Sequence, residues 1–426
     1  MNTELQKTPL KPSRKGFITN YPAFRHWRKE AGENFLARDP LNIYVHIPFC
    51  IQRCDYCYYK TINLKGKDKN KKIDEYIDGL CKEIEMASKY FSLKDRLVTT
   101  IYFGGGTPTL LNGDQFHKIY DALNKNLTFS QDLEFTVEAE PVTLTAKKAE
   151  ALKAMGVNRI SMGVQSLHDD IIKKSNRLDT EKKVLKTIDI AKSTGASINI
   201  DLLSGMAGET QETWSHTIKR ALSIDVESIT IYKMELYANT EYYQSIRNDT
   251  LQLPSHEQEL EFMKYALDET EQAEYYPWSF FTFTKQGKYP HIAAPSIWRG
   301  DDCYSFGVSS FGRMGDYLYQ NTNELSNYLG AINEGKLPLV RGHYLTSLDQ
   351  MVRAIQLELK LISFNLVAFR KKFGFSLESL VGPTLQLLVE EGYITLSEEE
   401  LKLTGKGILY GDFTAKIISN ALTKLK

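Results

Sequence analysis

Hydrophobic and polar positions follow two different rhythms along the first 240 residues. Short runs rich in β-branched and aromatic residues predict strands, and longer amphipathic stretches between them predict helices. The predicted strands cover residues 42–47, 99–103, 133–138, 158–163, 197–202 and 228–232. The predicted helices cover residues 74–90, 113–127, 145–155, 180–194 and 209–222.

Strands that alternate with helices in this way predict an α/β fold built on a parallel sheet. Right-handed crossovers would curl six such units into a partial (β/α)6 barrel of the TIM type, open on one side. In barrels of this kind the chemistry collects at the carboxyl ends of the strands. Residues that directly follow each predicted strand are therefore the first candidates for a functional site.

The alternation stops after about residue 240, which predicts a chain of four segments. We expect an N-terminal arm at residues 1–40, the barrel at 41–240 and an extension rich in aromatic residues at 241–345. Residues 346–426 predict a helical C-terminal domain that ends in a segment resembling a winged helix. The part after the barrel is expected to be an α+β domain that caps the barrel or binds the substrate.

Composition and charge narrow the class of protein. The 426 residues include 53 Lys and Arg and 53 Asp and Glu. A net charge of zero argues against a nucleic-acid binder that relies on a broad basic field. No stretch approaches the roughly 18 apolar residues that span a bilayer, and the first residues lack the apolar core of a signal peptide. We therefore expect a cytoplasmic protein.

Three of the five cysteines lie within eight residues, directly after the first predicted strand: Cys50, Cys54 and Cys57. Thiolates bind both iron–sulfur clusters and zinc, so both are candidates. A structural zinc site normally has four protein ligands; Cys81 and Cys303 are poorly placed to complete such a set, and His46 is the nearest alternative. A cluster of four irons on three cysteines would instead leave one iron open to a ligand.

The cysteine loop YVHIPFCIQRCDYC at 44–57 resembles the cluster loop of radical S-adenosylmethionine (SAM) enzymes, in particular the oxygen-independent coproporphyrinogen III oxidase family. Further motifs follow in that family's order: FGGGTP at 103–108, EAEP at 138–141, RISMGVQS at 159–166, SNR at 175–177, INIDLLSGMAGET at 198–210 and FGVSSFG at 306–312. The resemblance implies a [4Fe–4S] cluster on the three cysteines and SAM on the open iron. It also implies that cleavage of SAM yields a 5′-deoxyadenosyl radical, which abstracts a hydrogen atom.

The resemblance also assigns contacts to two SAM molecules. The first would touch Tyr44, Gly105, Gly106, Thr107 and Glu138. The second would touch Tyr56, Gln165, Arg177 and Asp201. Among these, Glu138 and Tyr56 are the candidate catalytic residues.

Three of these assignments have alternatives that the sequence leaves open. The glycines at 104–106 could form only a tight turn. Glu140 lies two residues after Glu138, and spacing alone does not choose between the two carboxylates. Arg177 and Asp201 could form a structural ion pair instead of binding a ligand.

Relatives with this framework perform three kinds of activity: decarboxylation of coproporphyrinogen, delivery or ring opening of haem, and radical methylation of an sp² carbon. The oxidase has a fourth cysteine where this chain has Tyr59, and the haem chaperone has a His-Asn-x-x-Tyr-Trp signature that PHIAAPSIWRG at 290–300 does not match. The aromatic segment at 275–283 is nearly uncharged, which suits a flat, apolar substrate. These departures favour a C-methyltransferase to which the second SAM supplies the methyl group, with a menaquinone-type naphthoquinone as the expected substrate.

The alternatives are an oxygen-independent coproporphyrinogen III dehydrogenase or another tetrapyrrole enzyme, a haem chaperone without enzymatic activity, and a zinc-stabilised binding module. An enzyme of this kind would need an electron donor such as flavodoxin or ferredoxin. A quinone substrate would also require peripheral contact with a membrane. We expect no nucleic-acid partner.

Overall fold

The computed structural model describes residues 10–28, 40–64 and 68–425. These residues form two compact units: a larger one at 22–346, and a smaller one in which residues 10–21 join residues 347–425. The predicted barrel and the aromatic-rich extension both lie in the larger unit. Part of the predicted N-terminal arm lies outside the described residues, and the finer division into four segments stays a prediction.

The first half of the larger unit alternates strands and helices. Its elements are β1 (Leu41–Ile47), β2 (Phe49–Cys50), β3 (Ile62–Asn63), α1 (Lys69–Tyr90), β4 (Leu97–Gly105), α2 (Gly113–Asn126), β5 (Thr128–Ala139), α3 (Ala146–Ala154), β6 (Arg159–Gln165), α4 (Asp169–Lys174), α5 (Glu181–Lys192), β7 (Ser197–Ser204), α6 (Gln211–Ile224) and β8 (Ser228–Lys233).

The second half of the larger unit begins with two helices and ends with a meander of strands. Its elements are α7 (Glu241–Arg247), α8 (His256–Gln272), β9 (Tyr275–Ser279), β10 (Thr282–Lys285), α9 (Ala293–Arg299), β11 (Asp302–Phe306), β12 (Phe311–Met314), β13 (Tyr317–Asn321), α10 (Leu325–Asn333) and β14 (Leu339–Tyr344).

Twelve of these strands form one sheet, in the order β14-β13-β12-β11-β1-β4-β5-β6-β7-β8-β10-β9. All six predicted strands are present as β1, β4, β5, β6, β7 and β8, and neighbours among them run parallel. The α/β fold class is therefore confirmed. In the described part of the chain β9 and β14 are the two edges, so the sheet is open.

The sheet is wider than the sequence pattern predicts. A seventh parallel strand, β11, pairs with the outer side of β1, although it lies far from the other strands along the chain. The aromatic segment forms the hairpin β9–β10, which pairs antiparallel with β8 and so extends the same sheet. A local pattern of apolar residues identifies a strand but does not say which distant strand it will join.

The parallel strands bury one apolar face and one polar face. The apolar face packs on helices, as where Phe103 of β4 contacts Phe116 of α2 at a ring-centroid distance of 5.9 Å. On the other face short polar side chains bond to one another: Thr100 donates to Asn42 at 2.7 Å, and Thr230 donates to the Asn199 side-chain oxygen at 3.0 Å. Because these polar side chains form hydrogen bonds with one another, the polar face can be buried without apolar side chains.

Helix α9 covers the polar face near the amino ends of the strands. Asn42 of β1 donates to Ser296 of α9 at 2.9 Å. The backbone N–H groups of Ile292 and Ala293 donate to the buried carboxylate of Glu134 at 2.9 and 3.0 Å. The carboxyl ends of the strands therefore form the end of the barrel at which a site can open.

The smaller unit is built around a three-stranded sheet in the order β15-β17-β16. Its elements are α11 (Ser347–Glu358), β15 (Ser363–Asn365), α12 (Leu366–Phe373), α13 (Leu377–Glu390), β16 (Ile394–Leu396), β17 (Glu400–Leu403), α14 (Gly405–Leu409) and α15 (Gly411–Thr423). This order of helices, strand and hairpin agrees with the expected winged-helix-like segment. Across both units, no described helix is long and apolar enough to cross a membrane.

Candidate active site

The cysteine loop begins where β1 ends and is closed by the short pair β2–β3. The Leu64 N–H donates to the Cys50 carbonyl at 3.0 Å, and the Cys57 N–H donates to the Cys54 carbonyl at 3.0 Å. The three thiols are reduced and half-buried. The β2–β3 pair thus holds the two ends of the loop together and presents all three thiols at the carboxyl end of β1.

Two neighbouring segments hold the middle of this loop. In the first, the Ser175 carbonyl accepts from the Asp55 N–H at 3.3 Å, and the Asn176 carbonyl accepts from the Gln52 side chain at 2.8 Å. In the second, the Tyr242 N–H donates to the Asp55 carbonyl at 3.1 Å. The loop is thus ordered by the polypeptide itself.

Burial makes the three thiols hold their protons. It raises the pKa of Cys50 to about 11 and that of Cys54 to about 12, and it also raises the pKa of Cys57. A metal that binds such thiols must displace the protons and supply the positive charge that stabilises the thiolates.

The three thiols are a donor set that fits an iron–sulfur cluster, because thiolates are the usual ligands of such clusters. Among the described residues, no three His, Cys, Asp or Glu side chains lie close enough to hold one metal ion. The Nδ1 of His46 shares a hydrogen bond with the Tyr44 hydroxyl at 3.1 Å, and burial lowers the pKa of His46 to about 4. Its Nε2 is buried without a partner in the described part of the chain.

The glycine run after β4 forms a close contact with the cysteine loop. A Cβ atom on Gly106 would lie 2.6 Å from the Phe49 carbonyl oxygen and 3.0 Å from Cys50 Sγ. Gly105 has a φ of +116°, and a Cβ there would lie 2.6 Å from the His46 ring. These glycines are therefore more than a tight turn, because any side chain would displace the loop.

Glu138 lies at the carboxyl end of β5 beside the same glycines. Its Oε1 accepts from the Tyr102 hydroxyl at 2.8 Å, and its Oε2 accepts from the Gly105 N–H at 3.0 Å. Burial, together with the nearby carboxylate of Asp201, raises its pKa to about 7. A half-buried carboxylate of this kind can accept hydrogen bonds from the ammonium or hydroxyl groups of a ligand.

Glu140 has a different role from Glu138. Its Oε2 accepts from Arg177 at 2.7 Å, and Arg177 also donates to Asp179 at 2.7 and 3.0 Å and to the Gly163 carbonyl at 2.6 Å. The predicted ion-pair alternative between Arg177 and Asp201 is therefore wrong. The crossover after β6 turns Arg177 towards β5 instead of β7, a path that spacing does not reveal.

Arg177 also contacts the cysteine loop. It donates to the Tyr56 hydroxyl at 3.1 Å and lies 3.8 Å from Cys54 Sγ. Its side chain is only 2% exposed. Arg177 thus links Glu140 of β5 to the cysteine loop.

Asp201 lies on the inner face of β7. Its carboxylate accepts from Ser161 and from Asn199, each at 2.9 Å. Burial raises its pKa to about 6 in spite of these donors. The charge of Asp201 also raises the pKa of Glu138. This end of the barrel therefore favours a ligand with cationic or hydrogen-bond donor groups.

The remaining predicted residues lie around the same end of the barrel. Tyr44 stacks on Tyr102 with ring centroids 6.0 Å apart, and the Thr107 hydroxyl lies 3.6 Å from Cys50 Sγ. Gln165 ends β6 with a φ of +65°, at a register shift between β6 and β7. A glutamine held in the left-handed region is strained, because its Cβ crowds the backbone there.

Sequence reasoning missed several residues of this site. Tyr102 is the hydroxyl donor to Glu138, and Asp179 is the second partner of Arg177. The alternation of β4 could have identified Tyr102, because it lies two residues before Gly104 on the same face. No sequence signal marks Asp179, which lies in a crossover.

Aromatic rings from the hairpin and from α9 form a chain that leads towards the carboxylates. Successive ring centroids lie 5.9 Å apart between Trp278 and Trp298, 5.7 Å between Trp298 and Phe281, and 5.5 Å between Phe281 and Tyr232. Tyr232 lies near Asp201 and Glu138. Burial raises the pKa of Tyr232, and the charges of these two carboxylates raise it further. Phe281 and Tyr232 thus form an aromatic wall at the edge of the site, whereas Trp298 of α9 lies towards the amino ends of the strands and Phe283 belongs to the core.

The family model of the radical SAM superfamily matches residues 44–221 of this chain. The heme chaperone HemW of Bacillus subtilis is 32% identical over 372 residues, which are 87% of this chain and 96% of that protein. The chain belongs to the radical SAM superfamily, in the group of HemN and HemW. The oxygen-independent coproporphyrinogen III oxidase of Salmonella typhimurium is 29% identical over 87% of this chain and 83% of that protein.

A solved structure of the group has the same fold. The coproporphyrinogen III oxidase HemN of Escherichia coli superposes with a TM-score of 0.82 at 25% identity, over 96% of this chain and 98% of that chain. Radical SAM proteins use a [4Fe–4S] cluster and SAM. These cofactors are the ones that the three thiols, the glycine run and Glu138 fit.

Proposed function

We propose that this chain is a radical SAM enzyme that acts on a tetrapyrrole. The observation that carries the proposal is the juxtaposition, at one end of the barrel, of the cysteine loop, the carboxylates of Glu138 and Asp201, and an aromatic wall formed by Phe281 and Tyr232. Planar rings stack well on such a wall. The similar proteins also point this way, because their names refer to coproporphyrinogen or to heme.

The proposed cluster ligands are Cys50, Cys54 and Cys57. Bound to SAM, a reduced cluster supplies radical chemistry that the side chains cannot supply themselves. Glu138, which the Gly105 N–H holds in place, would orient the polar end of the nucleoside, and Tyr44 would pack beside it. The apolar wall excludes water from the place where a substrate ring would lie.

A second SAM beside the first remains part of the proposal. Tyr56, Gln165, Arg177 and Asp201 border the same space and could contact it. Arg177 already donates to five protein groups, so it would act mainly by holding Tyr56 and Cys54 in place. Asp201 is the better candidate for a direct contact, because its carboxylate is half-buried at the barrel end.

Transfer of haem is the second candidate function. Tyr59, at the position of the oxidase's fourth cysteine, is 51% exposed and stacks on Tyr58 with ring centroids 4.4 Å apart. The heme chaperone of Bacillus subtilis is similar over nearly its whole length. The methylation of a naphthoquinone finds no support among the similar proteins, and we do not retain it.

The reaction can be tested with reconstituted protein under anaerobic conditions. Dithionite and SAM are added with coproporphyrinogen III or with haem. Formation of 5′-deoxyadenosine together with carbon dioxide from coproporphyrinogen supports the enzyme. A sharp Soret band on adding haem, without turnover of coproporphyrinogen, supports the carrier. Absence of both results contradicts the tetrapyrrole proposal.

Replacing one proposed ligand tests the cluster itself. Cys54→Ala should reduce the bound iron and abolish SAM cleavage, because two thiolates do not hold a cubane firmly. Cys81→Ala is the matched control: Cys81 lies on α1, where its thiol donates to the Lys118 carbonyl at 3.6 Å. Iron content and 5′-deoxyadenosine formation are measured for both. An equal loss in the two variants would mean that the ligands are misassigned.

A further inference from the structure

Arg53 lies between Cys50 and Cys54 in the sequence, and its side chain contacts the backbone of the third cysteine, Cys57. Its Nε and one terminal nitrogen donate to the Cys57 carbonyl at 3.1 and 2.8 Å. The same terminal nitrogen donates to the Asn239 carbonyl at 3.0 Å. The guanidinium therefore joins both ends of the Cys54–Cys57 turn to a segment that lies 186 residues away.

The distant segment is bound to the loop by its own contacts. The Asn239 side chain donates to the Tyr58 carbonyl at 2.9 Å. The ring of Tyr237 stacks on that of Tyr58 with centroids 4.1 Å apart. Arg53 and Asn239 thus satisfy two successive carbonyls, those of residues 57 and 58, and leave this end of the loop little freedom to move.

The position of the charge matters as much as the bonds. A guanidinium keeps its positive charge and binds as a rigid fork. Reduction adds one negative charge to a cluster and its thiolates. A fixed cation at the carbonyl of a ligand residue therefore favours the reduced state, since net charge and nearby hydrogen bonds set the potentials of such clusters.

We infer that Arg53 is a positioning residue that holds Cys57 ready for the cluster and raises the reduction potential of the cluster. This inference rests on the proposed function, because it requires that the three cysteines hold a cluster. Arg177 also approaches the loop, 3.8 Å from Cys54 Sγ, but its charge is paired with Glu140 and Asp179, so we assign the effect on the potential to Arg53.

The test compares reduction potentials of the full-length protein, loaded with iron and sulfide and titrated anaerobically with spectroscopic detection. In Arg53→Gln the potential should move to a more negative value, because the charge is lost while the length of the side chain is nearly kept. In Arg53→Lys it should stay near that of the unchanged protein. Lys60→Gln is the matched control, since it removes a charge that pairs with Glu324 at the far end of the same loop.

Each outcome separates this inference from the proposed function. An unchanged potential in Arg53→Gln, or an equal shift in Lys60→Gln, overturns the role of Arg53. If Arg53→Gln melts like the unchanged protein but binds no iron, full iron binding in Arg53→Lys supports the inference, and loss of iron in both overturns it. Failure of the unchanged protein to bind iron and sulfide overturns the proposed function instead.

Discussion

At the scale of single residues, Glu138 combines a structural cost with a proposed role. Its pKa rises from 4.5 to about 7 in the folded chain, chiefly because it is buried. The Tyr102 hydroxyl and the Gly105 N–H offset part of this effect by donating to the charged form. A cationic group of SAM would offset more of it, which explains why a destabilising carboxylate is useful at this position.

The raised pKa of Glu138 predicts a pH-dependent stability. The folded chain binds this proton more tightly than the unfolded chain, so the contribution is fully present below about pH 4.5 and is lost as the pH rises through about 7. Glu138→Gln cannot ionise. Without cofactors it should therefore melt a few degrees above the unchanged protein at pH 8, and the difference should be smaller at pH 5.

Circular dichroism during heating measures both melting temperatures. Glu75→Gln serves as the control, because Glu75 is an exposed carboxylate on α1. An equal difference at both pH values would contradict the assignment of the raised pKa to Glu138.

At the scale of elements, the end of β4 and the cysteine loop behave as one unit. The Gly106 N–H donates to the Ile47 carbonyl at 2.7 Å, and the Thr107 N–H donates to the Phe49 carbonyl at 2.8 Å. These bonds continue the pairing of β1 with β4 beyond the regular strands. The position of the cysteine loop is therefore fixed by its hydrogen bonds to the sheet.

This coupling predicts that Gly106→Ala impairs iron binding. The added methyl group would lie 2.6 Å from the Phe49 carbonyl, so the loop must shift. We expect several-fold less iron per chain after reconstitution with iron and sulfide. Gly330→Ala is the matched control: nothing lies within 4 Å of its added Cβ, and it should stabilise helix α10 by about 0.5–1 kcal/mol. Full iron binding in Gly106→Ala would refute the close contact.

Sequence patterns were also most successful in predicting individual strands and helices. The six predicted strands have the right type, since each carries a run of β-branched or aromatic residues between helical periods, but β5 begins at Thr128 instead of the predicted residue 133. The pattern did not predict β11, whose sequence is DCYSF and which pairs with the distant β1 on one side and with β12 on the other. It also did not predict that β9 and β10 extend the barrel sheet.

At the scale of the whole molecule, the smaller unit is made from both ends of the chain. Arg353 of α11 donates to the Tyr21 carbonyl at 3.0 Å and also bonds to the Asn20 side chain. The Ile18 N–H donates to Asp412 at 3.3 Å. The smaller unit therefore includes a segment, residues 10–21, that precedes the barrel in the sequence.

This arrangement predicts that Arg353→Met destabilises the smaller unit by about 1–3 kcal/mol, because it removes bonds from a buried charged group. Hydrogen exchange should become faster in residues 347–425 and in residues 10–21 together. Lys371→Met, on the exposed side of α12, is the control. Faster exchange confined to residues 347–425 would show that the N-terminal residues are not part of the unit.

The sequence by itself determined the succession of strands and helices, the place of the three cysteines after β1 and the membership of the radical SAM superfamily. All of these follow from local spacing and residue type. Only the tertiary structure decided that Arg177 bonds to Glu140 and Asp179, that Arg53 spans the cysteine loop and that the aromatic hairpin borders the site. These contacts join residues far apart in the chain, and they depend on how strands and crossovers pack, which no local pattern records.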